Sequence, residues 1–278
     1  LFFTEKGRCY WLKVYDIPEG AKSSKGRAIQ NILNIEADNR ITASITIKSL
    51  NDKEFTQSHS LIFCTERGTI KKTSLEDYSR PRQNGINAIN LVEGDRVVAV
   101  RLTNGENEIL VANSNGRAIR FNESTVRNMG RNATGVRAIT LDNDGQDHVV
   151  GMIAIENPEE ETVMIVSEYG YGKRSDIEDY RITNRGGKGV KTIQITEKTG
   201  KLISIQSVTN DNDLMIINKS GITLRLDVST IRVMGRATQG VRLINLEKRG
   251  DQIASICKVN SEEPEEVSEV ENNENQQV

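Results

Sequence analysis

Short runs in which apolar and polar residues alternate are the dominant pattern along this chain. Residues 214–226, LMIINKSGITLRL, contain an apolar run, a turn at Gly221 and a second run with apolar residues at every other position. The segment GVRLINL at 240–246 and the apolar stretch at 252–259 follow after polar loops. A period of two over a few residues is typical of β-strands, so the unit predicts four short strands. Only residues 74–80, SLEDYSR, favour a short helix.

This unit is repeated five times, with a period of roughly fifty residues. The first glycine of each unit lies at a hairpin turn; these glycines are Gly7, Gly68, Gly116, Gly170 and Gly221. The second follows 17 or 19 residues later; these are Gly26, Gly85, Gly135, Gly189 and Gly240. Blades are predicted near 1–48, 61–101, 109–155, 163–208 and 214–259, in one domain over 1–260. Four-stranded units at a fixed period predict an all-β, propeller-like disc in which neighbouring blades cover each other.

Basic residues recur at fixed places in the repeat. Four positions after the first glycine stand Lys72, Arg120, Arg174 and Arg225, whereas the first unit has Trp11 there and Lys13 two residues later. Where the flanking residues alternate cleanly, as around Arg120 and Arg225, the basic side chain is expected to face away from the core.

A second group of cations surrounds the second glycine. Residues 129–141 and 234–246, MGRNATGVRAITL and MGRATQGVRLINL, share 8 of 13 positions. The members of this group are Lys22, Lys25, Arg27, Arg80, Arg82, Arg131, Arg137, Arg185, Lys188, Lys191, Arg232, Arg236 and Arg242. Any one of them is explained by an ordinary solvated surface, but the repeated placement predicts a cationic rim.

A repeated cationic rim matches the phosphate backbone of a nucleic acid, which binds cations without reading sequence. Proteins that bind single strands rely on aromatic stacking, and this chain has only 12 aromatic residues (one Trp, six Tyr and five Phe). We therefore expect duplex DNA, bent around the rim by contacts spread over several blades.

Charge is distributed unevenly between the body of the chain and its last 18 residues. The segment 261–278 contains seven Glu and no Lys or Arg; without it, 37 basic and 32 acidic residues remain, a net charge of +5. We expect this segment to be a disordered acidic tail. It is either a solubilising end or a competitor for the basic surface.

The sequence offers little for catalysis or metal binding. Its two histidines, His59 and His148, are far apart in polar contexts, and the three cysteines form no metal-binding spacing. The odd, scattered cysteines favour a reducing cytoplasm, and no apolar run is long enough for a membrane span. We expect a binding domain without a cofactor or metal. The absence of an initiator Met suggests a piece of a longer protein.

Several segments together resemble the C-terminal domain of bacterial DNA gyrase A. They are the two MGR segments, EYGYGKRSDIEDYR at 168–181, RITNRGGKGVKT at 181–192 and KGRAIQNILNIE at 25–36. The resemblance covers 1–260 and implies a β-pinwheel of four-stranded blades with exchanged strands, which wraps duplex DNA around a basic rim. The attached type II topoisomerase core, built from the rest of gyrase A and from gyrase B as an A2B2 assembly, then introduces negative supercoils.

The same resemblance implies that ATP, Mg and the DNA-breaking tyrosine belong to the rest of that assembly. It also implies a bacterial cytoplasmic protein at the nucleoid, with no membrane contact and a monomeric isolated domain. The chain departs from the family in two ways. The family's disc has six blades, whereas five units occur here, and the family's glycine-rich box belongs in the first blade. The nearest match here is NRGGKG at 184–189, in the fourth unit. Either the first blade lies outside this sequence, or the chain is a topoisomerase IV C-terminal domain that steers DNA for decatenation. A protein-binding propeller scaffold is a third interpretation.

Overall fold

The computed structural model describes residues 1–21, 25–143, 145–246 and 250–261. Within these residues nearly all regular structure is β-strand, and the one α-helix is α1 (Lys53–Ser58). The strands are β1 (Phe2–Thr4), β2 (Arg8–Tyr10), β3 (Ile41–Ser44), β4 (Ser60–Thr65), β5 (Thr69–Ser74), β6 (Ile86–Asn87), β7 (Val97–Thr103), β8 (Glu108–Asn113), β9 (Arg117–Asn122), β10 (Val136–Arg137), β11 (Val149–Ile155), β12 (Thr162–Ser167), β13 (Tyr171–Asp176), β14 (Val190–Lys191), β15 (Leu202–Val208), β16 (Asn212–Asn218), β17 (Thr223–Asp227), β18 (Val241–Arg242) and β19 (Ile253–Asn260).

The strands form five antiparallel sheets in series, which confirms the predicted β-pinwheel of five repeats. The sheet orders are β3-β1-β2-β6, β7-β4-β5-β10, β11-β8-β9-β14, β15-β12-β13-β18 and β19-β16-β17. Strands β3, β7, β11, β15 and β19 pack on one another from sheet to sheet and therefore line the centre. The outermost strands of the first four sheets are β6, β10, β14 and β18, whereas the fifth sheet has three strands among the described residues.

Each outermost strand belongs to the next repeat along the chain. Strand β10 of the third repeat, for example, pairs with β5 of the second, with Val136 opposite Ile70 and Arg137 opposite Thr69. Gly135 precedes this strand with φ +112°, and a Cβ atom there would lie 2.5 Å from the Ile70 carbonyl oxygen. Only glycine allows this backbone approach, so the second glycine of the repeat marks the joint between neighbouring blades.

Short 3-10 helices follow the third strand of four repeats. They are Leu75–Tyr78, Glu123–Thr125, Ile177–Asp179 and Val228–Thr230. The first confirms the helical segment predicted at 74–80. Tyr78, which ends the first of these turns, and Tyr180, which follows the third, are fully buried. Tyr78 packs edge-on against Phe3 with ring centroids 6.0 Å apart.

Helix α1 was not expected from the sequence, because six residues are too few to show a helical period. Its N-cap is Asp52, whose side chain accepts a hydrogen bond from the Phe55 backbone N–H at 3.0 Å. The first repeat is also the least regular, with 3-10 helices at Val14–Asp16 and Ile29–Asn31 in place of an exchanged strand.

Candidate nucleic-acid interface

Three of the predicted cations lie at the outer margin of consecutive sheets. Arg137 is the second residue of β10, Lys191 of β14 and Arg242 of β18, and all three are exposed. We call them the outer-strand cations, because these strands are the outermost in their sheets. Arg242 donates a hydrogen bond to the Tyr171 hydroxyl at 3.0 Å. Its guanidinium lies 5.5 Å from the centroid of that ring, a cation–π contact that holds it in place.

The loop before each of these strands carries an arginine at one equivalent position. Three equivalent loop residues, Asn128, Ile182 and Val233, form a β-bridge to the third strand of the preceding sheet. The arginine three residues after each of them is the loop arginine of its repeat; these are Arg131, Arg185 and Arg236. Arg185 donates from Nε to the Thr125 carbonyl and from Nη1 to the Arg137 carbonyl, both at 3.1 Å. Arg236 donates from Nη1 to the Lys191 carbonyl at 2.7 Å. These two guanidinium groups therefore touch the backbone of an outer-strand cation and remain partly exposed.

A further series of arginines lies four residues before the loop arginines. Its members are Arg127, Arg181 and Arg232, and all are exposed. The sequence prediction includes only Arg232. The signal that finds the other two is the Arg-x-x-x-Arg spacing, which recurs in VRNMGR, YRITNR and IRVMGR directly after the 3-10 turn. Three consecutive repeats thus present at least three cations each toward the same margin.

The other predicted members lie in loops and are exposed. They are Lys13, Lys25, Arg27, Arg80, Arg82 and Lys188, whereas Lys22 lies outside the described residues. Arg80 and Arg82 precede β6, and Lys188 lies two residues before β14, so these three continue the series at the outer margin. Lys13, Lys25 and Arg27 belong to the irregular first repeat and lie outside the sheets.

The structure corrects the prediction for three of the four cations that follow the first glycine. Lys72, Arg120 and Arg174 were expected to face solvent, but they are 8%, 3% and 4% exposed. Alternation along a strand specifies only which face of its own sheet a side chain points to. In this fold the second face is covered by the 3-10 turn and loop of the next repeat, so the side chains are enclosed between blades.

Arg120 shows what these buried cations do. Its Nη1 donates to the carbonyls of Ile177 and Tyr180 in the next repeat, both at 2.9 Å. The same guanidinium pairs with Glu108 of its own sheet at 2.6 Å and with Glu178 of the next repeat at 3.1 Å. The carbonyls at the end of a helical turn carry partial negative charge and favour a cation there. Arg120 therefore joins two blades and is not available to a ligand.

Arg174 and Lys72 make corresponding connections. Arg174 donates from Nη1 to the Val228 carbonyl at 3.0 Å, again in the 3-10 turn of the following repeat. Burial lowers the pKa of Arg174 from its usual value. Lys72 pairs instead with the carboxylate of Glu123 at 2.8 Å, and that carboxylate is fully buried at the start of the next turn. We call Lys72, Arg120 and Arg174 the clamp cations.

The terminal repeats use other partners. Trp11 occupies the clamp position of the first repeat, and its Nε1 donates to the Tyr78 carbonyl at 2.9 Å. Arg225 in β17 is 40% exposed and pairs with Asp213 of its own sheet at 2.6 Å. Of the four predicted cations in this position, Arg225 alone is exposed.

No arrangement of the described residues resembles a catalytic or metal site. His59 lies at the end of α1, where its Nδ1 contacts the Phe55 carbonyl at 2.9 Å, and His148 contacts the Gln146 carbonyl at 3.1 Å. No group of three or more metal-binding side chains occurs within the described ranges. A polar cavity of about 280 Å³ lies at the centre, lined by inner-strand residues including Arg101, Ser204 and Ser255. None of the helices in the described part of the chain is long and apolar enough to cross a membrane. The predicted acidic tail falls, apart from Ser261, outside the described residues.

Comparison with known families gives one match that follows the repeats. The family described as "DNA gyrase C-terminal domain, beta-propeller" matches residues 1–48, 59–104, 107–156, 161–209 and 212–259. DNA gyrase A of Staphylococcus epidermidis strain ATCC 12228 is 44% identical over 263 residues, which are 95% of this chain and 29% of that protein. DNA gyrase A of Staphylococcus aureus strain NCTC 8325 is 44% identical over 271 residues, 97% of this chain and 30% of that protein. The chain thus spans less than a third of these relatives.

Two solved structures share the fold. The C-terminal domain of DNA topoisomerase IV superposes with a TM-score of 0.82 at 26% identity, over 93% of this chain and 78% of that one. The C-terminal domain of DNA gyrase A superposes with a TM-score of 0.77 at 23% identity, over 92% of this chain and 80% of that one. At this identity the second likeness concerns the fold alone.

Proposed function

The chain belongs to the DNA gyrase C-terminal domain family, and we propose that it binds duplex DNA along its outer margin and bends the DNA around the disc. The binding is to phosphates and does not depend on sequence. In the whole protein, this wrapping presents DNA to the attached type II topoisomerase core, which introduces negative supercoils at the expense of ATP.

One observation supports this proposal most directly. Three consecutive sheets carry an outer-strand cation, a loop arginine and a preceding arginine at equivalent places. A surface that repeats around a disc suits a ligand that is itself repetitive, and duplex DNA presents phosphates at a regular spacing. Bending a 20–30 bp site by 40–90° costs about 1–6 kcal/mol, so phosphate contacts from several blades are needed to offset it.

The proposal predicts a steep dependence of DNA affinity on salt. Each phosphate contact contributes about −0.9 to the slope of log K against log salt concentration. Neutralising all three outer-strand cations should therefore make the slope shallower by about 2.7. The matched control neutralises three exposed lysines away from the margin: Lys53→Gln, Lys198→Gln and Lys258→Gln. The two triple variants have equal net charge, so only the position of the cations differs.

Wrapping, as distinct from binding, is tested by topology. Nicked circular DNA sealed by ligase in the presence of the 278-residue chain should retain a change in linking number. The outer-strand triple variant should retain less of it than the control triple variant. If DNA binds with a flat salt slope, or if both variants behave alike, the outer margin is not the DNA path; the flat slope would favour a protein-binding scaffold.

A second candidate is the topoisomerase IV role, steering DNA segments for decatenation. The observation that favours it is the TM-score of 0.82 with the topoisomerase IV domain, against 0.77 with the gyrase domain. The 44% identity to two gyrase A proteins favours gyrase. The whole protein, reconstituted with its ATPase partner, should supercoil relaxed DNA in the first case and chiefly decatenate linked circles in the second.

The remaining expectations from the family are proposals of the same kind. The domain contributes no catalytic residue and no cofactor site, and ATP and Mg act in the rest of an A2B2 assembly of gyrase A and gyrase B. The assembly works on DNA in the bacterial cytoplasm, and the isolated domain is a monomer.

A further inference from the structure

Lys71 is a fully buried lysine beneath one of the loops that carry a loop arginine. It lies on β5, next to the clamp cation Lys72. Its Nζ donates to the carbonyls of Gly130 at 3.2 Å and Arg131 at 2.7 Å, both in the following repeat, and to the Ala88 carbonyl at 2.5 Å. An ammonium group has three donors and no acceptor, so these three carbonyls match its full capacity.

Lys173 occupies the equivalent place two sheets further on. It is fully buried on β13, and its Nζ donates to the Gly235 carbonyl at 2.7 Å. The neighbouring Ser175 hydroxyl donates to the Met234 carbonyl at 2.9 Å. Two successive carbonyls directly before Arg236 are therefore fixed by side chains of the preceding blade.

The buried lysine occurs where the loop has the sequence Met-Gly-Arg. The two loops with that sequence, 129–131 and 234–236, lie over Lys71 and Lys173. The intervening blade has Ile119 at the lysine position, and the loop over it reads Thr-Asn-Arg at 183–185. Arg185 donates to the Thr125 and Arg137 carbonyls, and Arg236 makes the equivalent bonds to the Asp179 and Lys191 carbonyls. The two kinds of loop therefore differ in what holds their backbone, not in the bonds of the arginine side chain. In these three blades, the buried lysine and the Met-Gly-Arg loop are thus either both present or both absent.

We propose that Lys71 and Lys173 are positioning residues for DNA binding, each of which holds the backbone of a Met-Gly-Arg loop so that its arginine points toward the DNA. This inference rests on the proposed function. Neither lysine reaches the surface, so neither contacts phosphate itself. Each acts through the loop carbonyls, whose position fixes where the Cα–Cβ bond of the following arginine points.

Lys71 lies in a buried environment, in which its amine needs the carbonyls as hydrogen-bond partners. The pKa of Lys71 is lowered to about 7, chiefly by burial; Arg131 adds to this shift and Asp77 opposes it. The Phe63 ring lies 5.5 Å from Nζ. No carboxylate within the described residues forms an ion pair with Lys71, so the loop carbonyls are its main polar partners. Burial likewise lowers the pKa of Lys173 to about 8.

A double-mutant cycle on the 278-residue chain separates positioning from a general loss of stability. The variants are Lys71→Met, Arg131→Gln and their combination, and the measurement is affinity for a duplex of about 40 bp, longer than a 20–30 bp bent site, over a salt series. Ile119→Met is the matched control, because it places the same side chain at the equivalent position of the blade that has no lysine. Thermal unfolding of each variant gives the temperature range in which all of them are folded.

We expect Lys71→Met to weaken DNA binding and to make the salt slope shallower by up to about 0.9, the share of one phosphate contact. Arg131→Gln should have the same effect. The combined variant should bind DNA no more weakly than either single variant, so that its affinity departs from the additive expectation by about two- to tenfold. Lys71→Met combined with Arg236→Gln should be additive, because that arginine lies three repeats away from Lys71. Ile119→Met should leave affinity unchanged.

Each other outcome has a definite meaning. If Lys71→Met binds DNA as the wild type does, or if its effect simply adds to that of Arg131→Gln, the positioning role is wrong while DNA binding stands. If the wild-type chain does not bind duplex DNA, the proposed function itself is wrong. If Lys71→Met does not fold, the same double-mutant cycle is carried out with Lys173→Met and Arg236→Gln. An additive result in that cycle overturns the inference.

Discussion

Replacing Arg120 with Met separates the clamp cations from the cations of the outer margin. The variant removes a guanidinium that is 3% exposed and contacts two carboxylates and two carbonyls between neighbouring blades. Glu108, whose side chain is 16% exposed, keeps its charge without its partner. The carbonyls of Ile177 and Tyr180 lose their donor in a place that the Met side chain fills.

Breaking a buried pair by removing one partner costs about 3–5 kcal/mol. A protein of this size has a free energy of unfolding of about 5–15 kcal/mol, so the loss is a large share. One kcal/mol corresponds to about 2–4 °C of melting temperature for 150–250 residues. We therefore expect Arg120→Met to melt about 6–20 °C below the wild type.

The comparison variant is Arg137→Gln, which removes an exposed outer-strand cation from the same repeat. Exposed substitutions change stability by about 0.5 kcal/mol or less, so its melting temperature should stay close to that of the wild type. Circular dichroism gives the melting temperatures, and duplex binding is measured below both transitions. Arg137→Gln should make the salt slope shallower by about 0.9, and Arg120→Met should leave it unchanged. If Arg120→Met melts normally and loses the slope instead, the assignment of the clamp is wrong.

Three further results are expected. Gly135→Ala should destabilise the chain by about 1–3 kcal/mol from backbone strain alone, because φ is +112° and a Cβ would meet the Ile70 carbonyl; Gly130→Ala, with open space around it, should be nearly neutral in the same denaturant titration. The lowered pKa of Lys71, about 7, means that the unfolded chain binds its proton more tightly. The unfolding free energy of the wild type should therefore rise relative to Lys71→Met from about pH 7 to pH 9, and a constant difference would contradict this. Iodoacetamide at about pH 8 should modify the exposed Cys257 in the native chain but spare Cys64, because burial raises the pKa of the Cys64 thiol to about 12; mass spectrometry of the native and unfolded chain distinguishes the two.

Local sequence was enough to predict most of the strands and many of the cations at the outer margin. The period of two and the paired glycines predict strands that the structure contains, and the second glycine marks the joint where a neighbouring backbone comes within contact distance. The outer-strand cations follow a glycine by two residues and are exposed, as predicted. Their contact with DNA stays a prediction.

The clamp cations could not be predicted from alternation, because their burial depends on the neighbouring repeat. Arg120 and Arg137 have similar local contexts: each is a basic residue beside apolar ones, a few positions after a glycine. What differs is that Arg120 lies on the third strand, under the 3-10 turn of the next repeat, whereas Arg137 lies on the strand that closes the sheet. This difference depends on contacts between repeats, such as the hydrogen bond from Arg120 to the Tyr180 carbonyl, which joins residues 60 positions apart.

The connections between repeats also determine how the cations of the margin are spaced. Arg236 donates to the carbonyl of Lys191, and Arg185 to the carbonyl of Arg137, so a loop arginine of one repeat is tied to the outer-strand cation of the repeat before it. The clamp cations fix the same two repeats from inside, through the 3-10 turn. The distance between successive groups of cations is therefore set by contacts between blades and not by the loops alone. A ligand that binds several groups at once must match that distance, which on the proposed function means that the DNA duplex follows the curvature of the disc.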